Sequence, residues 1–186
     1  SMSDHISEWL SGVRYSNRVE RRVYAAVCSR SKARVNIQVQ NPYNRKSFER
    51  RGVQVWLWNL DAYNAPRGMV RYMLLRLLLQ AFDDGVLHDT DRIGLVTGGY
   101  LRSDRACRVT ELQTYYERLG FVVQHRTDVP SCQRFMVAQV TQLMTRLREF
   151  CAQKLCCETH GPIGTLSSQQ PFVRIHPSPP DFAAEC

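Results

Sequence analysis

The sequence predicts a mixed α/β fold, a central sheet with both parallel and antiparallel pairs and helices flanking it. Three observations predict it. Residues Arg34–Gln40 alternate, with Val35, Ile37 and Val39 facing one way and Asn36, Gln38 and Gln40 the other, as in a half-buried strand. Met69–Phe82 is apolar nearly all round apart from Arg71, Arg76 and Gln80, which predicts a helix buried on most sides. Thr110–Val123 passes from a helical pattern directly into the β-prone run Phe121-Val122-Val123.

Taken in order, Asp4–Val13 reads as a helix with Ile6, Trp9, Leu10 and Val13 on one face. Asn17–Ser29 reads as a second, with Asn17 and Glu20 at capping-box spacing and Val19, Val23 and Val27 recurring. Arg34–Gln40 is the first strand. Asn41–Arg51 is polar, contains Pro42 and reads as a hairpin-like connection. Gly52–Leu60 is the second strand, with Trp56, Trp58 and Leu60 sharing a face. The loop Asp61–Gly68 leads into the buried helix, which Asp83-Asp84-Gly85 ends. Arg92–Thr97 is the third strand, and 98–109 a basic loop with Arg102, Arg105 and Arg108.

In the next helix, Thr110 and Gln113 have capping-box spacing, and Leu112, Tyr115, Tyr116 and Leu119 form one apolar face. Gly120 stands where a left-handed residue closes a helix. Residues 120–126 and Phe135–Val140 form two more strands, and Thr141–Cys156 an amphipathic helix. The order is α-α-β-β-α-β-α-β-β-α, and the 34–60 and 120–140 pairs read as antiparallel.

At 186 residues the chain is long enough for one domain with a proper core, assigned to residues 3–157. Residues 158–186 are Pro-containing and aperiodic, and read as a flexible tail. No apolar run is long enough to span a bilayer. Seven unevenly spread cysteines point to reduced thiols and an intracellular setting. Cys151, Cys156, Cys157 and His160 fit no common zinc spacing, so no metal is expected. The net charge of +8 is carried almost wholly by arginine, since Lys32, Lys46 and Lys154 are the only lysines. Arginine's planar fork suits phosphate, so a coenzyme pyrophosphate, a nucleic acid or an acidic protein each fits that charge. Arginine-biased coding on a solvated surface accounts for it equally well.

Tyr116-Glu-Arg-Leu-Gly-Phe121 resembles the Tyr-Glu-Lys-Leu-Gly-Phe element of the GNAT superfamily of N-acetyltransferases. The order from 52 to 140 (strand, loop, buried helix, strand, helix, strand, strand) matches that family's core. The resemblance implies a GNAT-like mixed sheet flanked by helices, here with an extra C-terminal helix. It also implies an acyl-CoA co-substrate, acetyl-CoA first of all, whose pyrophosphate sits on the loop before the buried helix. The physical basis is the free backbone N–H groups and positive dipole end of a helix start. The family pattern falls on Ala65-Pro-Arg-Gly68-Met-Val70. Gly68 matches it; Ala65 replaces a basic or amide residue, and Val70 replaces a small one. Arg67, Gly68, Met69, Val70 and Arg71 are thus the implied coenzyme-binding residues, with Arg67 and Arg71 supplying positive charge.

Tyr116 is the implied general acid for the leaving thiolate, a role that suits a phenol because its ordinary pKa near ~10 keeps it protonated at neutral pH. Asp61 is the first candidate for the base that deprotonates the amine, ahead of Asp104 and Glu111. A backbone N–H near Asn59 or Leu60 is the implied oxyanion donor. Family members place one strand before two helices, then three antiparallel strands before the loop. Here the sequence yields no strand before Asp4 and only two strands between 34 and 60. The acceptor amine is not specified. Two functions stay open: an N-acyltransferase, or a GNAT-like domain without catalysis that binds an acidic partner such as nucleic acid or a protein.

Overall fold

The computed structural model describes residues 4–62, 64–97, 108–155 and 172–176. These form a mixed open sheet of eight strands with five helices packed on it. In chain order the elements are α1 (Asp4–Ser11), β1 (Val13–Arg18), β2 (Val23–Cys28), β3 (Arg34–Val39), α2 (Arg45–Arg51), β4 (Val55–Asp61) and α3 (Met69–Asp83). They continue with β5 (Arg92–Thr97), α4 (Arg108–Arg118), β6 (Val122–Gln124), β7 (Arg134–Gln139), α5 (Val140–Leu155) and β8 (Val173–Ile175). The strand order is β6-β7-β5-β4-β3-β2-β1-β8. β1 to β4 form an antiparallel meander, β4 and β5 are parallel, and β5, β7 and β6 are antiparallel neighbours.

Several expectations hold. The alternating strand, the buried helix, the Arg92–Thr97 strand, the C-terminal amphipathic helix and the mixed sheet all form where the pattern places them. Others are corrected. Asn17–Ser29 is not a helix but most of the β1–β2 hairpin, turned at residues 19–22 with Arg22 at φ 51°. The valines that set the helical spacing were misleading, because Val19 and Val27 are exposed. The buried stripe has period two: Val13, Tyr15 and Asn17, then Tyr24, Ala26 and Cys28. β-branched and aromatic side chains gain more from this pleated packing than from a helix. Val13, expected at the end of the first helix, starts β1 after α1 stops at Ser11.

Asn41–Arg51 likewise holds a short helix, α2, rather than a hairpin connection. Gly52 at φ 66° closes it, and Phe48 is buried beneath it. Part of the expected tail also returns to the sheet. β8 pairs parallel with β1, and Phe172 packs on Tyr15 and Tyr24 with ring centroids 5.3 and 6.3 Å away. The rest of 158–186 lies outside the described residues.

The main core lies on one face of the sheet, under α1, α3, α4 and α5. It contains Tyr15, Tyr24, Ile37, Leu57, Met73, Leu74, Leu77, Leu95, Met136 and Leu147. The other face has a smaller cluster of Phe48, Val53, Trp56, Phe135 and Val137 beneath α2. Among the described residues no helix is long and apolar enough to cross a membrane.

α3 is fixed at its C-terminal end by Asp84, whose carboxylate is mostly buried. It accepts hydrogen bonds from the Tyr24 hydroxyl (2.6 Å), Asn17 Nδ2 (3.1 Å) and Gln80 Nε2 (2.9 Å), and pairs with Arg174 of β8 (3.4 Å). One side chain therefore ties the central helix to β1, β2 and β8. Asp84→Ala leaves the buried polar groups of Asn17 and Tyr24 without their acceptor, which costs about 2–4 kcal/mol. A lower urea midpoint checks this; an unchanged midpoint contradicts it.

Candidate functional site

The parallel strands β4 and β5 start together and then part. Val55 pairs with Ile93 and Trp56 with Gly94, and the ladder ends there. β4 continues to Asp61 along β3, while β5 continues to Thr97 along β7. A register shift in the β3–β4 pair accompanies the parting: Ile37 is opposite Leu57 and Asn36 opposite Asn59, so Trp58 is the extra residue of a bulge. A bulge bends and twists its strand. Among the described residues, β4 has no ladder partner on the β5 side from Leu57 onward. Its backbone groups on that edge are free to pair with a ligand, as on any open strand edge. Such a crevice beyond the carboxyl ends of parallel strands is where α/β sheets bind ligands.

The bulge also corrects the facing of this strand. Trp56 belongs to the cluster under α2, whereas Leu60 packs against the main core, so the two do not share a face. Trp58 stays beside Trp56, with ring centroids 6.2 Å apart.

The loop after β4 enters α3 through a tight turn. The Met69 N–H donates to the Pro66 carbonyl (3.1 Å), with Gly68 between them at φ 92° and ψ −7°. This is the left-handed third position of a type II turn, where a Cβ would be strained. The first helical bond follows, from the Tyr72 N–H to the Gly68 carbonyl (3.2 Å). Val70 and Arg71 therefore hold first-turn N–H groups, which have no helical acceptor. The side chains of Met69 and Val70 point into the core, so the bulk of Val70 lies away from the turn. Arg67 is exposed. Arg71 is turned toward its neighbours: its guanidinium lies 3.6 Å from the Phe150 ring centroid and 4.8 Å from that of Tyr115, and its Nε donates to the Tyr115 hydroxyl (3.1 Å).

α4 brings the tyrosines to the same end of the sheet. Its C-terminus is a Schellman motif: the Gly120 N–H donates to the Glu117 carbonyl (3.0 Å) and the Phe121 N–H to the Tyr116 carbonyl (3.1 Å). Gly120 has φ 99°, and the Tyr116 and Phe121 rings meet edge-on at 5.6 Å. The sequence reading of this end holds. The start differs: α4 begins at Arg108, so Thr110 lies inside it, where its carbonyl accepts the Thr114 hydroxyl (3.0 Å). Gln113 donates to Glu117 (2.7 Å) and caps nothing.

Tyr116 is packed against Tyr115 (5.2 Å) and the main core. Its phenol is pushed far above its ordinary pKa, first by burial, then by Tyr115, then by the charge of Asp61. Leu60 packs on the same core, whereas Asp61 stands abreast of Arg34 on the other face of the sheet. The Asp61 carboxylate accepts a hydrogen bond from Arg34 Nε (3.0 Å) in a half-exposed ion pair. Asn59 lies opposite Asn36 on the face away from α3.

The structure brings Leu60, Gly68, Arg71 and Tyr116 to the core side of the sheet, while Asp61 stands on the opposite face, paired with Arg34. Glu111 is exposed in the first turn of α4. Asp104, Arg102 and Arg105 lie outside the described residues, as do Cys156, Cys157 and His160. Cys151 is a buried thiol whose pKa burial pushes up to about 11. Among the described residues no group of three or more His, Cys, Asp or Glu is placed to hold a metal ion. Sequence reasoning missed Arg34, Tyr115 and Thr97. Thr97, at the end of β5, buries its hydroxyl without a hydrogen-bond partner among the described residues. Its place at the end of the third strand, next to a Gly-rich loop, was the available signal.

Burial raises the phenols of Tyr15, Tyr24 and Tyr72 as well as that of Tyr116. All four stay protonated in the fold while the unfolded chain ionises near pH ~10. Their contribution to stability is fully present below that pH and is lost as pH rises above it. The urea midpoint is expected to fall between about pH 8 and pH 11; a midpoint that holds across this range contradicts the burial of these phenols.

No protein-family model, no curated protein and no solved structure matches this chain.

Proposed function

We propose that the chain is a divergent member of the GNAT superfamily and an acyl-CoA-dependent N-acyltransferase, in its simplest form an acetyltransferase. The observation that carries this reading is the opening between β4 and β5, with the Gly68 turn of α3 and Tyr116 of α4 at the same end. The strand order supports it. The run of β1 to β4 is similar to the family's one strand followed by three antiparallel ones, although a tight turn stands where the family has two helices.

The local chemistry fits a coenzyme of this kind. The first-turn N–H groups of Val70 and Arg71, with exposed Arg67 beside them, suit a pyrophosphate at the positive end of α3. The free edge of β4 suits an extended amide-bearing arm, which pairs with it as an added strand would. The amine attacks the thioester carbonyl carbon, and the oxygen of the tetrahedral intermediate takes a hydrogen bond from a backbone N–H near Asn59 or Leu60. The carbon–sulfur bond then breaks, Tyr116 gives its proton to the departing thiolate, and the amine's proton goes to Asp61 or through water to solvent. A phenol is protonated at neutral pH, as a proton donor must be. Arg71 reaches a phosphate only by leaving its stack on Phe150 and Tyr115, so its contribution is smaller than that of the turn.

Thermal melts with acetyl-CoA test the coenzyme site. At about 100 times the dissociation constant, binding adds roughly 2.7 kcal/mol, or about 5–10 °C in Tm for a chain of this length. No shift at millimolar acetyl-CoA or longer acyl-CoAs overturns the reading. Tyr116→Phe is expected to keep that shift and to slow acyl transfer by about a hundredfold or more; an unchanged rate removes Tyr116 from the acid role.

A further inference from the structure

The sheet face opposite α3 is covered by α2 only at one end, over Trp56, Phe135 and Val137. Over β1, β2, β3 and the far half of β4, no helix among the described residues lies on it. The register sets three rows across this open face. Arg14, Val27, Arg34 and Asp61 stand abreast; next come Val173 of β8, Ser16, Ala25, Asn36 and Asn59; then Ile175 of β8, Arg18, Val23 and Gln38. From β1 to β4 the middle row is small and partly buried, while Arg14, Arg18 and Arg34 are exposed, as are Val173 and Ile175 at the β8 end. The result is a shallow furrow about 14 Å long across four strands, with arginines on both rims. The acid on this row, Asp61, is already paired with Arg34.

At the β4 end stands Trp58, 54% exposed. Its indole Nε1–H donates to Gln38 Oε1 (3.3 Å), and its ring meets Trp56 edge-on. The bulge holds the ring in place with its one polar group satisfied and half its surface open to solvent.

We propose that this open face binds single-stranded nucleic acid, with phosphates along the arginine rims and a base stacked on Trp58. A basic groove with an exposed aromatic platform is the general physical device for unpaired strands, because every base has a π-face while duplex bases are already stacked. The net charge of +8 favours a polyanion, and the aromatic platform favours bases over carboxylates. The proposal does not depend on the coenzyme reading, because the side chains that carry it, Arg14, Arg18 and Trp58, have no role in that site.

The test is fluorescence anisotropy of a labelled oligodeoxythymidylate of roughly ten nucleotides, titrated with the full chain. Three arginine–phosphate contacts give a slope of log affinity against log salt of about −2, or roughly a fifteenfold loss between 50 and 200 mM. Trp58→Ala is expected to weaken binding about fivefold or more at constant salt, and Arg14→Glu with Arg18→Glu to weaken it and flatten the slope. The unaltered chain gives a second readout, quenching of its tryptophan fluorescence by the oligonucleotide. Absent binding, equal affinity for polyglutamate or for duplex DNA, or an affinity that Trp58→Ala leaves unchanged overturns the proposal. Tryptophan quenching by the oligonucleotide and not by polyglutamate supports it even where a variant fails to fold.

Discussion

Two neighbouring parallel strands that pair at only two positions near their starts create the candidate site. β4 and β5 are joined at Val55–Ile93 and Trp56–Gly94 and are then carried apart, β4 by its bond to β3 and β5 by its bond to β7. The bulge at Trp58 sits at the point of parting. Without it, Leu60 would turn out of the main core, and the backbone that leads to Asp61 would turn over with it. The bulge thus does two things. It frees one edge of β4, and it sets the side chains of 58–61 so that Trp58 and Asn59 look to the open face while Leu60 anchors the strand.

The second constraint is α3. A helix apolar on nearly every side has little freedom to slide or rotate once buried. Its two ends are fixed by different means. Gly68 sets the entry turn, and Asp84 ties the exit to β1, β2 and β8. The first-turn N–H groups are therefore held by the core itself, although they stand at the end of a loop. α4 is joined to the same region through the contact of Arg71 with Tyr115, so the turn and Tyr116 belong to one packed unit.

Much of this was legible in the sequence where the signal was local. The Tyr116–Phe121 helix end follows from a glycine at the left-handed position with an aromatic on each side of it. α3 and β5 follow from predominantly apolar runs of the right length. The errors arose where two periods compete. Val19, Val23 and Val27 have helical spacing, yet Tyr15, Asn17, Tyr24 and Ala26 carry the buried stripe at period two, and the cross-strand partners that decide between them are distant in sequence. The Trp56–Leu60 facing failed because a single extra residue in β4 has no local mark. The ion pair of Arg34 with Asp61 depends on that same shift in register, so composition alone did not disclose it. The return of β8 rests on Phe172 and Arg174 finding Tyr15, Tyr24 and Asp84, which are contacts with the far end of the chain.

The central claim is that the opening between β4 and β5 receives the coenzyme, with its diphosphate on the Gly68 turn. Backbone amide chemical shifts followed during a titration of the 15N-labelled chain with coenzyme A test it most directly. The largest changes are expected on Gly68, Val70 and Arg71, with a second group along Leu57–Leu60. Saturable changes confined to other parts of the chain, or none at millimolar coenzyme, contradict it.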